Sequence, residues 1–364
     1  MDFEFSEEQE ALRATVRRFL AEQAPIQPYV RDLYGDARGT TDAVWKGLAG
    51  LGATGLLVPT EHGGEGMGMV DMGVVLEELG RAVHPGPFLS SAVAAASMLV
   101  GVGDGDGLLS SIVEGSLVAT VALTEGDGRD WHDVATSYDG GFLTGAKTFV
   151  ADAMAADVVL VTARSDGADG IGVFAVEAGA PGLVVESVPS VDGTRAQAKI
   201  MLDHTPAQRL GDGDATAVVS EVVDRVLVAL VTDGVGAAQV ALDMAVAYAK
   251  ERVQFDRPIG SFQAVQHLCS DMLQTLELGR AGAYYALWAC DAASAGERHR
   301  AAVMAKAFAS DAFPRIGASA IQVFGGVGFT WEHDVHLFYK RLLTLQEAYG
   351  DAGDLLEELA ALVL

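Results

Sequence analysis

The chain has 364 residues, half of them hydrophobic, with 50 Asp plus Glu against 24 Lys plus Arg and a formal net charge of −26. That length suits about two to three domains, and the charge excludes nucleic acid and anionic membranes as partners, since phosphates call for clustered Lys and Arg. Two cysteines (Cys269 and Cys290), no apolar leader in MDFEFSEEQEALRATVRRFL and no apolar run of about 18 residues exclude a disulfide scaffold, a secreted chain and a membrane span, and point to the cytoplasm.

In chain order, residues 1–113 read as an all-α domain. Ser6 before a run of acids is a helix N-cap, followed by Leu12, Val16, Phe19 and Leu20 at helical spacing. Met69 to Val83 repeats the pattern, with Val74, Val75, Leu76 and Leu79 inward and Glu77 and Glu78 exposed. Glu61 to Met69 and Gly101 to Gly107 are Gly-rich loops. Residues 114–214 change texture: SLVATVAL, DVVLVTAR, GIGVFAV and GLVVESV are short β-branched runs between Gly and Asp turns, as in a small barrel or sandwich. Residues 215–364 return to helix in four stretches, about 216–251, 262–294, 298–324 and 334–362, which predicts a four-helix bundle. Pro314 marks a kink or boundary in the third. The fold class is α+β.

Most local motifs have plain structural readings. Neither Gly-rich loop follows a strand and opens a helix, so neither is a dinucleotide fingerprint. His333 and His336, beside Glu332 and Asp334, read as a capped helix start rather than a metal site. Cys269 near His267 is a core cysteine, because neighbouring helical positions diverge. Two segments carry more. Tyr248 to His267 gathers Lys250, Arg252 and Arg257 in an acidic chain, next to a helix restart that can receive a phosphate. Ile321 to Arg341 contains adjacent Gly325 and Gly326, which break a helix and let something approach bare backbone.

Together these segments resemble the acyl-CoA dehydrogenase family. ERVQFDRPIGSFQAVQH is similar to the family's ERxxFGxPIxxFQxVQ signature, with Asp256 in the usual Gly place, and IQVFGGVGF to xQxFGGxGF. FSEEQEALRATVRRFL, LGATGLLVPTEHGGEGMG and LTGAKTFVADAMAADVVLVTARSD extend the resemblance over nearly the whole chain. It implies an N-terminal helical domain, a central β-domain and a C-terminal four-helix bundle. It also implies FAD held between subunits, an acyl-CoA substrate losing its α and β hydrogens, and an electron-transfer flavoprotein as acceptor. By this resemblance Arg252, Phe255 and Gln263 meet the FAD of a neighbouring subunit, and Gln322, Gly325 and Gly326 approach its other end. Leu123 and Thr124 fall where the β-domain backbone touches the flavin, and Phe149 takes the usual Trp place beside the ring.

The departures are as informative. The family's catalytic Glu falls on Tyr349, and the position used by some members instead falls on Val226; Glu347 and Asp351 flank the first and Asp224 the second, each two residues away. On a continuous helix two residues turn by about 200 degrees, which aims them elsewhere. The FAD loop, usually Thr-Glu-Pro-Gly-x-Gly-Ser-Asp, reads TEGDGRDWHD, and a usual Thr near the ring is Ala151. The resemblance narrows to family members built from two unlike paralogues, where a subunit without the Glu completes the FAD site of one that has it. The alternatives are a self-sufficient homomer with a relocated carboxylate base, an acyl-CoA-binding or assembly protein without redox role, and a related oxidase or monooxygenase.

Overall fold

The computed structural model describes residues 5–103, 106–165 and 170–364. Asp104 and Gly105, which fall in the stretch expected to form the Gly101–Gly107 loop, lie outside the described residues, as do residues 166–169 and 1–4. Ten α-helices are described: α1 Glu7–Gln23, α2 Asp42–Gly50, α3 Met69–Arg81, α4 Ala96–Val102, α5 Asp106–Val113, α6 Thr216–Glu251, α7 Gln263–Ala292, α8 Ala295–Phe324, α9 Val335–Glu347 and α10 Ala352–Val363. The chain divides into two compact units.

One unit comprises Met1–Asp32, Gly73–His84 and Leu227–Leu364. Its first helix starts as the sequence predicts: Ser6 accepts the Gln9 amide at 3.2 Å while the Gln9 side chain accepts the Ser6 amide at 2.9 Å, a capping box that satisfies two end-of-helix donors. Within the bundle, α7 packs on α8, and α8 on α9 and α10. A groove of about 480 Å³ between α7, α8 and α10 is lined by Leu278, Met304, Phe308 and Leu356, among others.

Three expectations need correcting here. Glu77 and Glu78 are not exposed: they are 4% and 2% accessible. Arg280 donates to Glu77 at 2.6 Å and Tyr284 at 2.7 Å, while Arg17 clasps Glu78 with two bonds of 2.6 and 2.7 Å. The charges tolerate burial because each has its donors. Pro314 neither ends nor divides α8, which runs 30 residues through it. The last helix, conversely, is two: α9 stops at Glu347, Tyr349 and Gly350 take φ of 58° and 101°, and Asp351 caps α10 through the Gly353 and Asp354 amides.

The other unit comprises Leu33–Met72 and Pro85–Val226. Its strands are β1 Ala119–Ala122, β2 Ser137–Asp139, β3 Phe142–Ala151, β4 Val158–Ser165, β5 Gly172–Glu177, β6 Leu183–Val188, β7 Gln197–Pro206 and β8 Gln208–Leu210. They form one sheet in the order β6-β7-β3-β2-β4-β5-β8, with β1 parallel to β4. Its core is β-branched and aromatic: Val159, Val161, Phe174, Val176, Ile200 and Leu202 are buried. Among the described residues one helix, α6, is long and apolar enough to cross a membrane, but 78% of its apolar window is buried inside the protein.

Candidate functional site

The segment after α6 is a tight hairpin, β9 Val253–Gln254 against β10 Arg257–Pro258, with Arg257 opposite Gln254. Its two tip residues, Phe255 and Asp256, both take positive φ, 53° and 62°. That is the type I′ turn a two-residue hairpin favours. It explains why Gly suits the second place and why Asp, whose side chain tolerates left-handed backbone, can replace it. Phe255 has no such excuse, and it is 86% exposed. A bulky residue is thus held in strained backbone with its ring largely in solvent, edge-on to Phe262 at 6.1 Å.

Arg252 is exposed and has no ion pair among the described residues. α7 then begins at Gln263 on Phe262, an N-cap with no side-chain hydrogen bond, so the helix start keeps unspent amides beside Arg257, which lies 4.1 Å over the Phe262 ring. An uncapped helix start next to arginines suits a phosphate. Gln322 is exposed near the end of α8. Gly325 ends that helix with φ 64° and ψ −140°, a combination essentially confined to glycine. Around Gly325 and Gly326 a built Cβ would meet nothing within 4 Å, so this backbone faces open space. These six positions fit the role of presenting donors and bare backbone to an anionic, planar group.

The β-domain residues fit less well. Leu123 is buried, and its carbonyl accepts the Lys147 ammonium at 3.1 Å. Thr124 donates its single hydroxyl proton to the Thr148 carbonyl at 2.8 Å, which leaves that hydroxyl only acceptor capacity. A register shift in β3 between Lys147 and Val150 throws Phe149 outward at φ 52°, half-exposed, with its ring against the bare α-carbon side of Gly128. Ala151 has no donor to offer. The loop that follows Thr124 carries Asp127 and Asp130, each turned on a local backbone amide, and His132 pairs with Asp130 at 2.9 Å. Thr124 and Ala151 thus present no free side-chain donor, and Asp127 and Asp130 are exposed carboxylates nearby in the chain.

Sequence reasoning overlooked the pair that builds this corner. Lys147 is fully buried and donates to Glu125 at 2.8 Å and to Thr162 at 3.1 Å. Glu125 also receives the Ala135 amide and both the amide and the hydroxyl of Thr136. Burial alone would raise the Glu125 carboxyl, but Lys147 and these donors hold it below the usual carboxylate value; burial pulls Lys147 below the usual lysine value, with Glu125 opposing. The available signal was a lysine inside a β-strand run otherwise apolar on alternate positions.

At the base position, the Tyr349 ring is half-buried and burial pushes its phenol up to about 12. Asp351 is spent as the α10 cap, and Glu347 lies exposed at the end of α9. At the other position Val226 is buried within α6, and Asp224 is fully buried too. At the start of α9, His333 Nδ1 accepts the Val335 amide at 3.1 Å, so that imidazole caps the helix, and Asp334 accepts two bonds from Arg31.

Comparison with known proteins identifies the family. Residues 6–105 match the N-terminal domain of acyl-CoA dehydrogenases, and residues 217–363 match the C-terminal domain. The chain belongs to the acyl-CoA dehydrogenase family. IpdE2 of Mycolicibacterium smegmatis, named an acyl-CoA dehydrogenase, is 31% identical over 98% of this chain and 99% of its own. FadE34 of Mycobacterium tuberculosis, also named an acyl-CoA dehydrogenase, is 34% identical over 98% of this chain but only 48% of its own length, so this chain spans about half of that relative. Among solved structures, the ChsE4–ChsE5 complex of Mycobacterium tuberculosis contains a chain of the same fold, with a TM-score of 0.89, 28% identity and coverage of 99% and 98%. Members of this family are flavin-dependent oxidoreductases that act on acyl-CoA thioesters.

Proposed function

We propose that this chain is the subunit of a two-paralogue acyl-CoA dehydrogenase that is silent alone and completes the FAD site of a Glu-bearing partner. The observation that carries this reading is Tyr349 at the base position. Abstraction of an α proton near neutral pH needs a group that is unprotonated there, and a phenol held near 12 is not. No neighbouring carboxylate takes over: Asp351 is bound to two amides and Glu347 faces solvent.

Three further features support it. Arg252, Phe255, Gln263, Gln322, Gly325 and Gly326 are all exposed, as residues lent to another chain must be. The β-domain offers no side-chain donor at Thr124 or Ala151. One relative is about twice as long, and one structural neighbour is a complex of two unlike chains. FAD, when bound in such a pair, would accept the β hydride. This chain's part is to orient it: Arg252 and the start of α7 neutralise phosphate, Phe255 gives an aromatic contact, and the glycines admit close approach. Electrons would pass to an electron-transfer flavoprotein, and the cytoplasm is the proposed compartment.

The test is flavin stoichiometry, read from absorbance near 450 nm. The chain is purified alone and after co-expression with a Glu-bearing paralogue. No flavin in the lone chain and one FAD per two chains in the pair is the expected result. A full complement of flavin in the lone chain, with dehydrogenase activity, overturns the reading in favour of a self-sufficient homomer.

A further inference from the structure

Inside the bundle, α8 carries a lysine with no accessible surface. Lys306 Nζ donates to Ser310 Oγ, one turn along the same helix, at 2.7 Å, and to the Gly350 carbonyl at 3.2 Å. The second bond leaves α8 and reaches the turn between α9 and α10. In that turn Ala348 is extended, Tyr349 and Gly350 are left-handed, and Asp351 caps α10. A left-handed tyrosine persists only where its surroundings over-determine it. On one side Asp351 fixes the start of α10; on the other, the Lys306 amine is the group that grips the backbone.

We propose that Lys306 is the positioning residue of this turn, its amine bridging Ser310 and the Gly350 carbonyl so that Tyr349 is held at the place where relatives carry their base. The clamp is a property of this chain, whichever subunit holds the flavin, and so it goes beyond the functional reading above.

The donor count makes the clamp sensitive to pH. An uncharged amine has two N–H donors, which match the two acceptors present; an ammonium has a third proton. The charged groups acting on it are Glu347, at the exposed end of α9, and Asp351, whose carboxylate already serves the Gly353 and Asp354 amides. Burial pulls the amine down to about 7, against the two carboxylates, which raise it. When the turn opens, the lysine returns toward its ordinary value near 10.4. Between those values the open state binds the extra proton, so closure strengthens as pH rises, by up to about tenfold per pH unit, and is insensitive to pH below about 7.

Native-state hydrogen exchange of the backbone amides at 348–353 tests this on the full chain between pH 6 and 9. Protection corrected for the intrinsic exchange rate should be flat up to about pH 7 and then rise close to tenfold per unit. Lys306→Met should abolish that rise, whereas Tyr349→Phe should keep it, because the slope belongs to the amine and not to the phenol. A flat profile in the native chain, or an unchanged slope in K306M, overturns the proposal. If K306M does not fold, Ser310→Ala removes one anchor of the bridge. Faster exchange at 348–353 with α1 unaffected is then expected, and unchanged exchange at the turn overturns the proposal.

Discussion

Gly325 and Gly326 are chain neighbours with different needs, and alanine separates them. At Gly325 the space is open, yet φ 64° with ψ −140° is a conformation that a side chain resists, so Gly325→Ala should cost about 1–3 kcal/mol in urea denaturation of the lone chain. At Gly326 a Cβ meets nothing within 4 Å and φ is ordinary, so Gly326→Ala should leave that stability within about 0.5 kcal/mol. The same G326A change should lower the FAD content of the co-expressed pair, since the methyl group would stand where the partner's cofactor approaches. Unchanged flavin in that pair would remove Gly326 from the shared site. Buried Asp233 and Arg341 give a second residue-scale case. Arg341 donates to both carboxylate oxygens at 3.0 Å and to the His84 carbonyl at 3.1 Å. Asp233→Leu alone strands a buried guanidinium and should cost about 3–5 kcal/mol, while D233L combined with R341L should cost much less than the two singles added. Additive losses in the double-mutant cycle would show that the two do not act as a pair.

At the scale of elements, α1, α3 and α7 are joined by charge in the bundle unit. Burial alone would raise the Glu77 carboxyl; Arg280, Tyr284 and Arg13 outweigh it and hold the group below the usual carboxylate value. A carboxyl depressed in the folded state contributes stability that is present above its unfolded value, near 4.3, and lost as pH falls through the folded value. Acid unfolding of the native chain should therefore steepen below about pH 4.5. Glu77→Gln should cost about 3 kcal/mol at pH 7 and flatten that acid limb; an acid limb of unchanged slope would remove Glu77 from the linkage. This network also shows what the sequence could not reveal. Helical spacing placed Glu77 and Glu78 on the solvent side because their partners lie 61 positions back, at Arg17, and 203 positions on, at Arg280. The Ser6 cap, by contrast, needs only residues within one turn, and it was legible. The break between α9 and α10 was hidden for a related reason. QEAYGDAG contains no Pro, and what stops the helix there is a left-handed Tyr349 gripped from α8 through Gly350. In the candidate site, the ordered motifs around Phe255 and Gly325 were readable as strings. The commitment of the Thr124 proton to Thr148 was not, since it depends on the pairing of Thr124 with Thr148 across the sheet corner.

At the scale of the whole molecule, the largest electrostatic feature is a net charge of −26. Self-repulsion of that size opposes the compact state and acts through solvent, where it is screened over about 30 Å at 0.01 M salt and about 8 Å at 0.15 M. The attractive pairs identified above lie elsewhere: Asp233 with Arg341, Glu77 with Arg280 and Lys147 with Glu125 are buried or nearly so, and buried pairs are screened much less. Salt should thus weaken the repulsion more than it weakens the attraction. Raising NaCl from about 0.01 M to about 0.15 M should raise the melting temperature of the lone chain by a few degrees, a shift on the order of 1–2 kcal/mol at this size. Sucrose at matched osmolality separates screening from solvent exclusion, because it leaves the Debye length unchanged. A melting temperature that falls with added salt would mean that surface ion pairs such as Arg38 with Asp42 and Arg315 with Asp311 outweigh the net charge. That outcome runs against the small worth of exposed pairs. The same screening bears on assembly. Two copies of a chain this acidic meet against their own fields, so any self-association of the lone chain should increase with ionic strength over the same range, and self-association that falls with added salt would mean that charge holds the copies together.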